Sequence, residues 1–317
     1  MAPKRKAQAR QVKSNLLADG IALLDSAAWS VFTELGAPGW RSDRRHSSWS
    51  ADPEAALLLA LFLRAHDERL FNAAANWYAS YAPLISTARW KRIVSSHSNV
   101  ASLQGNLDEQ LSLAASRYGT SQPIDTAAIR NDSALQLRAR SLLGVTVKAD
   151  IVTAVLTLPT YVVRDTGNLA RFVRGSRQAV HVALADLVAI GVIEPFERVG
   201  RSHHALGPGM YKTFSKLLGP LPQAHPPMIS IVELAVDLVS GLSDIAHEDS
   251  EVRSVQARQL ARQIAASPLF KGVFVIPDIA RAQDAYTELS KWTNDLLASF
   301  SMGGLGSPFV APEFAVA

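Results

Sequence analysis

Apolar residues recur at three- and four-residue steps along most of this chain, and that spacing predicts a mainly α-helical protein. One such pattern runs from Asn15 to Leu35 and ends at Gly36. Asp52-Pro53-Glu54 indicates a second helix start, because it combines an N-cap, a proline at the first position and an acid in the first turn. No alternation typical of β-strands precedes about residue 190. The first third of the chain is therefore predicted to be a helical domain.

Composition shifts divide the chain further. Residues 1–14 are polar and basic and are predicted to be disordered, whereas residues 15–120 are predicted to form the helical domain. A linker-like stretch begins at Gly119. Residues 135–218 are predicted to form a compact central domain, and residues 228–302 a helical C-terminal region. Residues 303–317 are rich in glycine and proline and are predicted to be flexible.

The pattern in residues 148–206 predicts a helix, a short helix, a turn, a longer helix and a hairpin. The first two helices are predicted at residues 148–158 and 166–173. Gly175 is predicted to take the backbone angles that a sharp turn needs, and Ser176 to cap the third helix. The apolar positions predict an inward face made of Ile151, Val152, Val155, Leu156, Leu169, Ala170, Val173, Val180, Leu184, Leu187 and Val188.

Gly191 is predicted to end the third helix and to lead into a β-hairpin. Residues 192–197 and 203–206 have the composition of two antiparallel strands. Pro195 is expected at a sheet edge, because proline cannot donate a ladder hydrogen bond. The predicted tip, residues 198–202, contains a glycine and two arginines, Arg198 and Arg201.

The chemistry of this block points to nucleic acid. Arg177, Gln178 and His181 lie at the front of the third predicted helix, and their side chains carry the donors that read base edges. Ser176, Arg174 and Arg201 are predicted to anchor phosphate, since they flank that helix front. The full set of candidate DNA-binding residues is Arg164, Arg171, Arg174, Ser176, Arg177, Gln178, His181, Arg198, Arg201 and His203.

Charge supports this hypothesis locally but not globally. The chain has 32 Lys and Arg residues against 28 acids, yet five of those cations lie in the first 13 residues, which leaves 27 against 28. The rest of the protein is therefore nearly neutral, and only the distribution of charge is informative. Residues 164–181 contain four arginines and a single acid, Asp165.

Residues 176–193 contain a serine and an arginine, then a valine and two leucines, and end in Gly191-Val192-Ile193. This pattern resembles the recognition helix and first wing strand of winged helix-turn-helix transcriptional regulators. The resemblance covers roughly a fifth of the chain. It implies a helix that enters the major groove of double-stranded DNA, a homodimer that reads paired half-sites, and a cytoplasmic, nucleoid-associated regulator. His181 departs from the more usual small polar or basic residue, so the resemblance implies no base preference.

Other functions find less support in the sequence. Winged helices also dock proteins, so an antitoxin-like or accessory role with a protein partner is the alternative. No Walker, dinucleotide-binding or nucleophile-elbow motif is present, so we expect neither an enzyme nor a cofactor. Adjacent residues of a helix point in different directions, so the His66-Asp67-Glu68 triplet predicts no metal site. No apolar run is long enough to predict a membrane span.

Overall fold

A computed structural model describes residues 3–37, 49–96, 128–157, 162–163, 166–198, 201–223, 227–271 and 273–302. Within these ranges the protein is mainly helical, with one small antiparallel sheet. The helices are α1 (Pro3–Glu34), α2 (Pro53–Phe62), α3 (Glu68–Tyr81), α4 (Thr87–Ser95), α5 (Leu135–Leu143), α6 (Val147–Thr157), α7 (Thr166–Phe172), α8 (Arg177–Ala189), α9 (Met210–Leu218), α10 (Met228–Ile245), α11 (Ser250–Ala266) and α12 (Ala285–Ser301). The strands are β1 (Val162–Val163), β2 (Ile193–Arg198) and β3 (Arg201–Leu206).

Helix α1 begins far earlier than the sequence predicted. Residues 1–14 were expected to be disordered, but the helix starts at Pro3 and continues to Glu34. Its first turns are rich in lysine, arginine, glutamine and alanine, which favour helices. Proline is tolerated in a first turn, and no further proline interrupts the segment. The polar composition of this segment is therefore compatible with a helix.

Helices α1–α4 and α10–α12 bury their apolar faces in one common core. Trp49 stacks on Phe300 with ring centroids 6.2 Å apart. A Cβ added at Gly20 of α1 would lie 2.9 Å from Oδ1 of Asn294, so α12 packs closely along this helix. The regions predicted separately as residues 15–120 and 228–302 thus share a hydrophobic core, which we call the helical body.

Residues 135–221 have a second core of their own. It contains the inward face predicted from the sequence, with Val188 as a partly buried neighbour. The termini of α8 are also as predicted. Gly191 follows the helix with φ 72°, and the Val192 N–H donates to the Leu187 carbonyl, so the helix ends in a glycine-dependent cap. We call this unit the central domain.

The sheet of the central domain has three strands in the order β1-β3-β2, with both pairs antiparallel. The hairpin of β2 and β3 was predicted, and its pairing runs from Ile193 opposite Leu206 to Arg198 opposite Arg201. Pro195 lies in β2 at a sheet edge, as expected for proline. Strand β1 was not predicted, because it contains two residues and has no pattern to detect.

Candidate nucleic-acid interface

The turn between α7 and α8 is set by a glycine and a serine, but the glycine acts differently from the prediction. Positive φ falls on Arg174, at 52°, and not on Gly175. Gly175 is required by space instead, because an added Cβ would lie 2.9 Å from Cγ2 of Val180. Ser176 caps α8 as predicted, since its Oγ accepts a hydrogen bond of 3.1 Å from the Ala179 N–H. This cap fixes the start of the helix.

The predicted base-reading side chains lie on the solvent side of α8. Arg177, Gln178 and His181 are exposed, while Val180 and Leu184 are buried beneath them. Residues three and four apart share a helix face, so Gln178, His181 and the small Ala185 form one surface. The helix has one acid, Asp186, whose carboxylate lies 2.7 Å from the Lys148 ammonium. The front of α8 therefore presents donors without an acid among them.

Arg174 lies in the interior, contrary to the prediction that it anchors phosphate. Its side chain is 5% exposed and forms an ion pair with the buried Glu233 of α10. Burial lowers the pKa of Arg174 to about 10, with the nearby charge of Arg89 acting in the same direction. The guanidinium is still a cation at neutral pH, but it faces the helical body. The local arginine cluster inferred from the sequence thus loses one member.

His203 also departs from its predicted role as a DNA contact. It is 9% exposed and its ring stacks on Phe196, with centroids 5.4 Å apart. The stack places it as a packing residue of the hairpin. The neighbouring strand β2 exposes two acids that the prediction did not weigh, Glu194 and Glu197. Those acids disfavour phosphate along β2.

Four predicted residues remain, and the structure describes the side chain of one of them, Arg171. Arg171 is partly exposed and donates to the Lys271 carbonyl at 2.9 Å and to the side chain of Asn168. Arg164 lies outside the described residues, and so do the side chains of Arg198 and Arg201. The backbones of Arg198 and Arg201 are opposite each other at the end of the hairpin.

A buried network of charges joins the α7–α8 turn to the helical body, and no sequence pattern predicts it. Arg89 of α4 pairs with Asp52 and Glu54, and its Nε donates to the Val173 carbonyl at 3.0 Å. Arg140 of α5 contacts Glu54 at 2.6 Å and Asp150 at 3.0 Å. Local sequence explains Asp52 and Glu54 only as a helix start, and Arg89, Arg140 and Asp150 lie in helical segments. Their partners are distant in the chain, so no local pattern reveals the network.

The electrostatics of the network favour its charged form. Burial would raise the pKa of Asp52, but the charge of Arg89 and its hydrogen bonds lower it to about 2. Burial would lower the pKa of Arg89, yet Asp52 and Glu54 hold it above its ordinary value. Both groups are therefore ionised at neutral pH, and their mutual attraction offsets their desolvation.

No protein family, curated protein or solved structure was found to match this chain. None of the helices in the described ranges is long and apolar enough to cross a membrane. Within the same ranges no three His, Asp or Glu side chains are grouped so that they could hold a metal ion.

Proposed function

We propose that this chain is a sequence-specific DNA-binding protein, a transcriptional regulator, and that residues 135–218 form a winged helix-turn-helix. The observation that carries the proposal is the front of α8, which is capped, exposed and rich in base-reading donors. The element order α6, β1, α7, α8, β2, β3 is the order expected of a winged helix. Residues 166–185 contain no acid, which suits a surface that approaches phosphate.

In the proposed complex, α8 enters the major groove of double-stranded DNA by its N-terminal turns. Arg177 pairs with the O6 and N7 atoms of a guanine, and Gln178 with the N6 and N7 atoms of an adenine. His181 faces a base edge one turn further along. The small side chain of Ala185 permits close approach. Ser176, Arg171 and the hairpin tip contact the backbone, and a homodimer places two such helices on paired half-sites.

The test is DNA binding by the purified protein. Genomic fragments are screened by fluorescence anisotropy, and the tightest is compared with a scrambled duplex of equal length. Arg177→Ala with Gln178→Ala is expected to weaken the specific complex by about 2–6 kcal/mol, because each bidentate contact discriminates by about 1–3 kcal/mol. The matched control removes the exposed Arg262 of α11 (Arg262→Ala with Gln263→Ala). Failure of the unaltered protein to bind any fragment at low salt contradicts the proposal.

A protein-docking role is a second candidate, favoured by apolar side chains around α8. Val182 is 48% exposed and Ile190 71% exposed, and Phe196 on β2 also reaches solvent. Exposed apolar groups of this kind are typical of protein interfaces. A partner that co-purifies at high salt and is released by Val182→Ser with Ile190→Ser supports this role. If those variants leave DNA binding intact while Arg177→Ala abolishes it, the DNA hypothesis is favoured.

A further inference from the structure

Helix α4 of the helical body is fixed beside the start of α8. The Arg92 guanidinium donates to the Arg174 carbonyl, and Arg89 donates to the preceding carbonyl, that of Val173. Arg174 lies three residues before Arg177, at the front of the proposed recognition helix. Two separate hydrogen bonds thus hold one body helix against the turn. These contacts place α4 beside the N-terminus of α8.

The side of α4 that faces solvent is basic. The side chains of Lys91 and Arg92 are exposed, whereas those of Arg89 and Trp90 are buried. The helix contains no acid, since its sequence is TARWKRIVS. Residues 89–92 mix three cations with an aromatic side chain. The structure separates the four residues, with the buried pair serving the core and the exposed pair facing outward.

The C-terminal part of the body contributes a further cation to the same area. The Arg171 guanidinium donates to the carbonyl of Lys271, and the Lys271 side chain is exposed. Helix α7, which carries Arg171, has no acid either. We use the term turn-flanking surface for Lys91, Arg92, Arg171, Arg177 and Lys271. These five cations come from α4, α7, α8 and the loop after α11. Arg92 of α4 contacts the α7–α8 turn, and Arg171 of α7 contacts the loop.

We propose that Lys91, Arg92 and Lys271 bind the phosphate backbone of double-stranded DNA on either side of the groove that α8 enters. This inference rests on the proposed function and extends the DNA-binding surface from the central domain onto the helical body. Lysine and arginine contacts to phosphate carry no sequence information, so these residues set affinity and orientation, not base preference. Contacts between these side chains and the DNA backbone also determine how deeply α8 lies in the groove.

The phosphate contacts predict a defined salt dependence. Each neutralised phosphate contributes about 0.9 to the slope of log affinity against log salt concentration. Lys91→Ala with Lys271→Ala is therefore expected to reduce that slope by about 2, and to weaken specific and scrambled duplexes by the same factor. Neither lysine side chain holds the turn, so the variant avoids the hydrogen bond that Arg92 makes to the Arg174 carbonyl.

The experiment measures anisotropy of a labelled specific duplex and a scrambled one between about 50 and 200 mM salt, the range over which such contacts change affinity most visibly. The control, Arg262→Ala with Lys291→Ala, removes the same charge from exposed positions of α11 and α12. A slope equal to that of the unaltered protein, or a decrease no larger than the control's, overturns this inference alone. Absence of DNA binding by the unaltered protein overturns it together with the proposed function.

Discussion

Replacing Arg89 with methionine removes the cation that joins Asp52, Glu54 and the Val173 carbonyl inside the protein. Methionine retains much of the apolar volume of the arginine stem, so the lost interactions are mainly electrostatic. Two buried carboxylates lose their shared cation, although Arg140 still contacts Glu54. Breaking a buried ion pair from one side costs about 3–5 kcal/mol. We expect the free energy of unfolding at pH 7 to fall by that amount.

The same substitution should change how stability depends on pH. In the unaltered protein the pKa of Asp52 is lowered from 3.8 to about 2, which corresponds to about 2 kcal/mol of stability at neutral pH. That contribution is present above the unfolded-state value and is lost as pH falls from about 4 to about 2. Without Arg89, burial raises the pKa of Asp52, so protonation then favours the folded state. The stability difference between the two proteins should therefore shrink as pH falls toward 3.

Urea unfolding followed by far-ultraviolet circular dichroism and tryptophan fluorescence, at several pH values from 7 to 3, measures both effects. Arg262→Met is the matched control, because Arg262 is exposed on α11 and a surface charge contributes little. A loss below about 1 kcal/mol at pH 7, no larger than a surface ion pair contributes, would refute the reasoning. So would a stability difference that stays constant with pH.

Three further results are expected. Ser176→Ala should lower the free energy of unfolding by about 1 kcal/mol in urea titrations, because the Ala179 N–H loses its cap; Ser176→Asp should restore it. Gly207→Ala should lower the thermal midpoint, because its Cβ would lie 2.5 Å from the Gly191 carbonyl oxygen, and a midpoint equal to that of the unaltered protein contradicts this. A fragment of residues 1–134 should lack a cooperative thermal transition, because α10–α12 complete its core. Cooperative unfolding of the fragment would show that α1–α4 form a stable core without α10–α12.

Local signals in the sequence predicted the central domain well. The Ser176 cap, the Gly191 terminus and the apolar face of α8 each depend on neighbours within a turn or two, and each is confirmed. The common core of α1–α4 and α10–α12 could not be predicted in this way. Periodicity identifies the apolar face of a helix but does not say which distant helix covers it.

Burial of charge was the main source of error at the candidate interface. Arg174 has the same sequence context as an exposed arginine, and its partner Glu233 lies 59 residues further along. The Arg89 network likewise joins residues from four helices and the residue before α2. A count of arginines near a turn therefore overestimates the charge available to phosphate. Arg177, Gln178 and His181 were placed correctly at the surface, because the alternation of faces on one helix is a local property.

The shared core of the helical body has a consequence for synthesis. Residues 135–221 contain all the apolar groups of the central core, so this unit is complete before residues 228–302 leave the ribosome. Helices α1–α4 cannot bury the part of their apolar surface that α10–α12 cover until those helices have been synthesised. We therefore expect the central domain to fold before the helical body is complete.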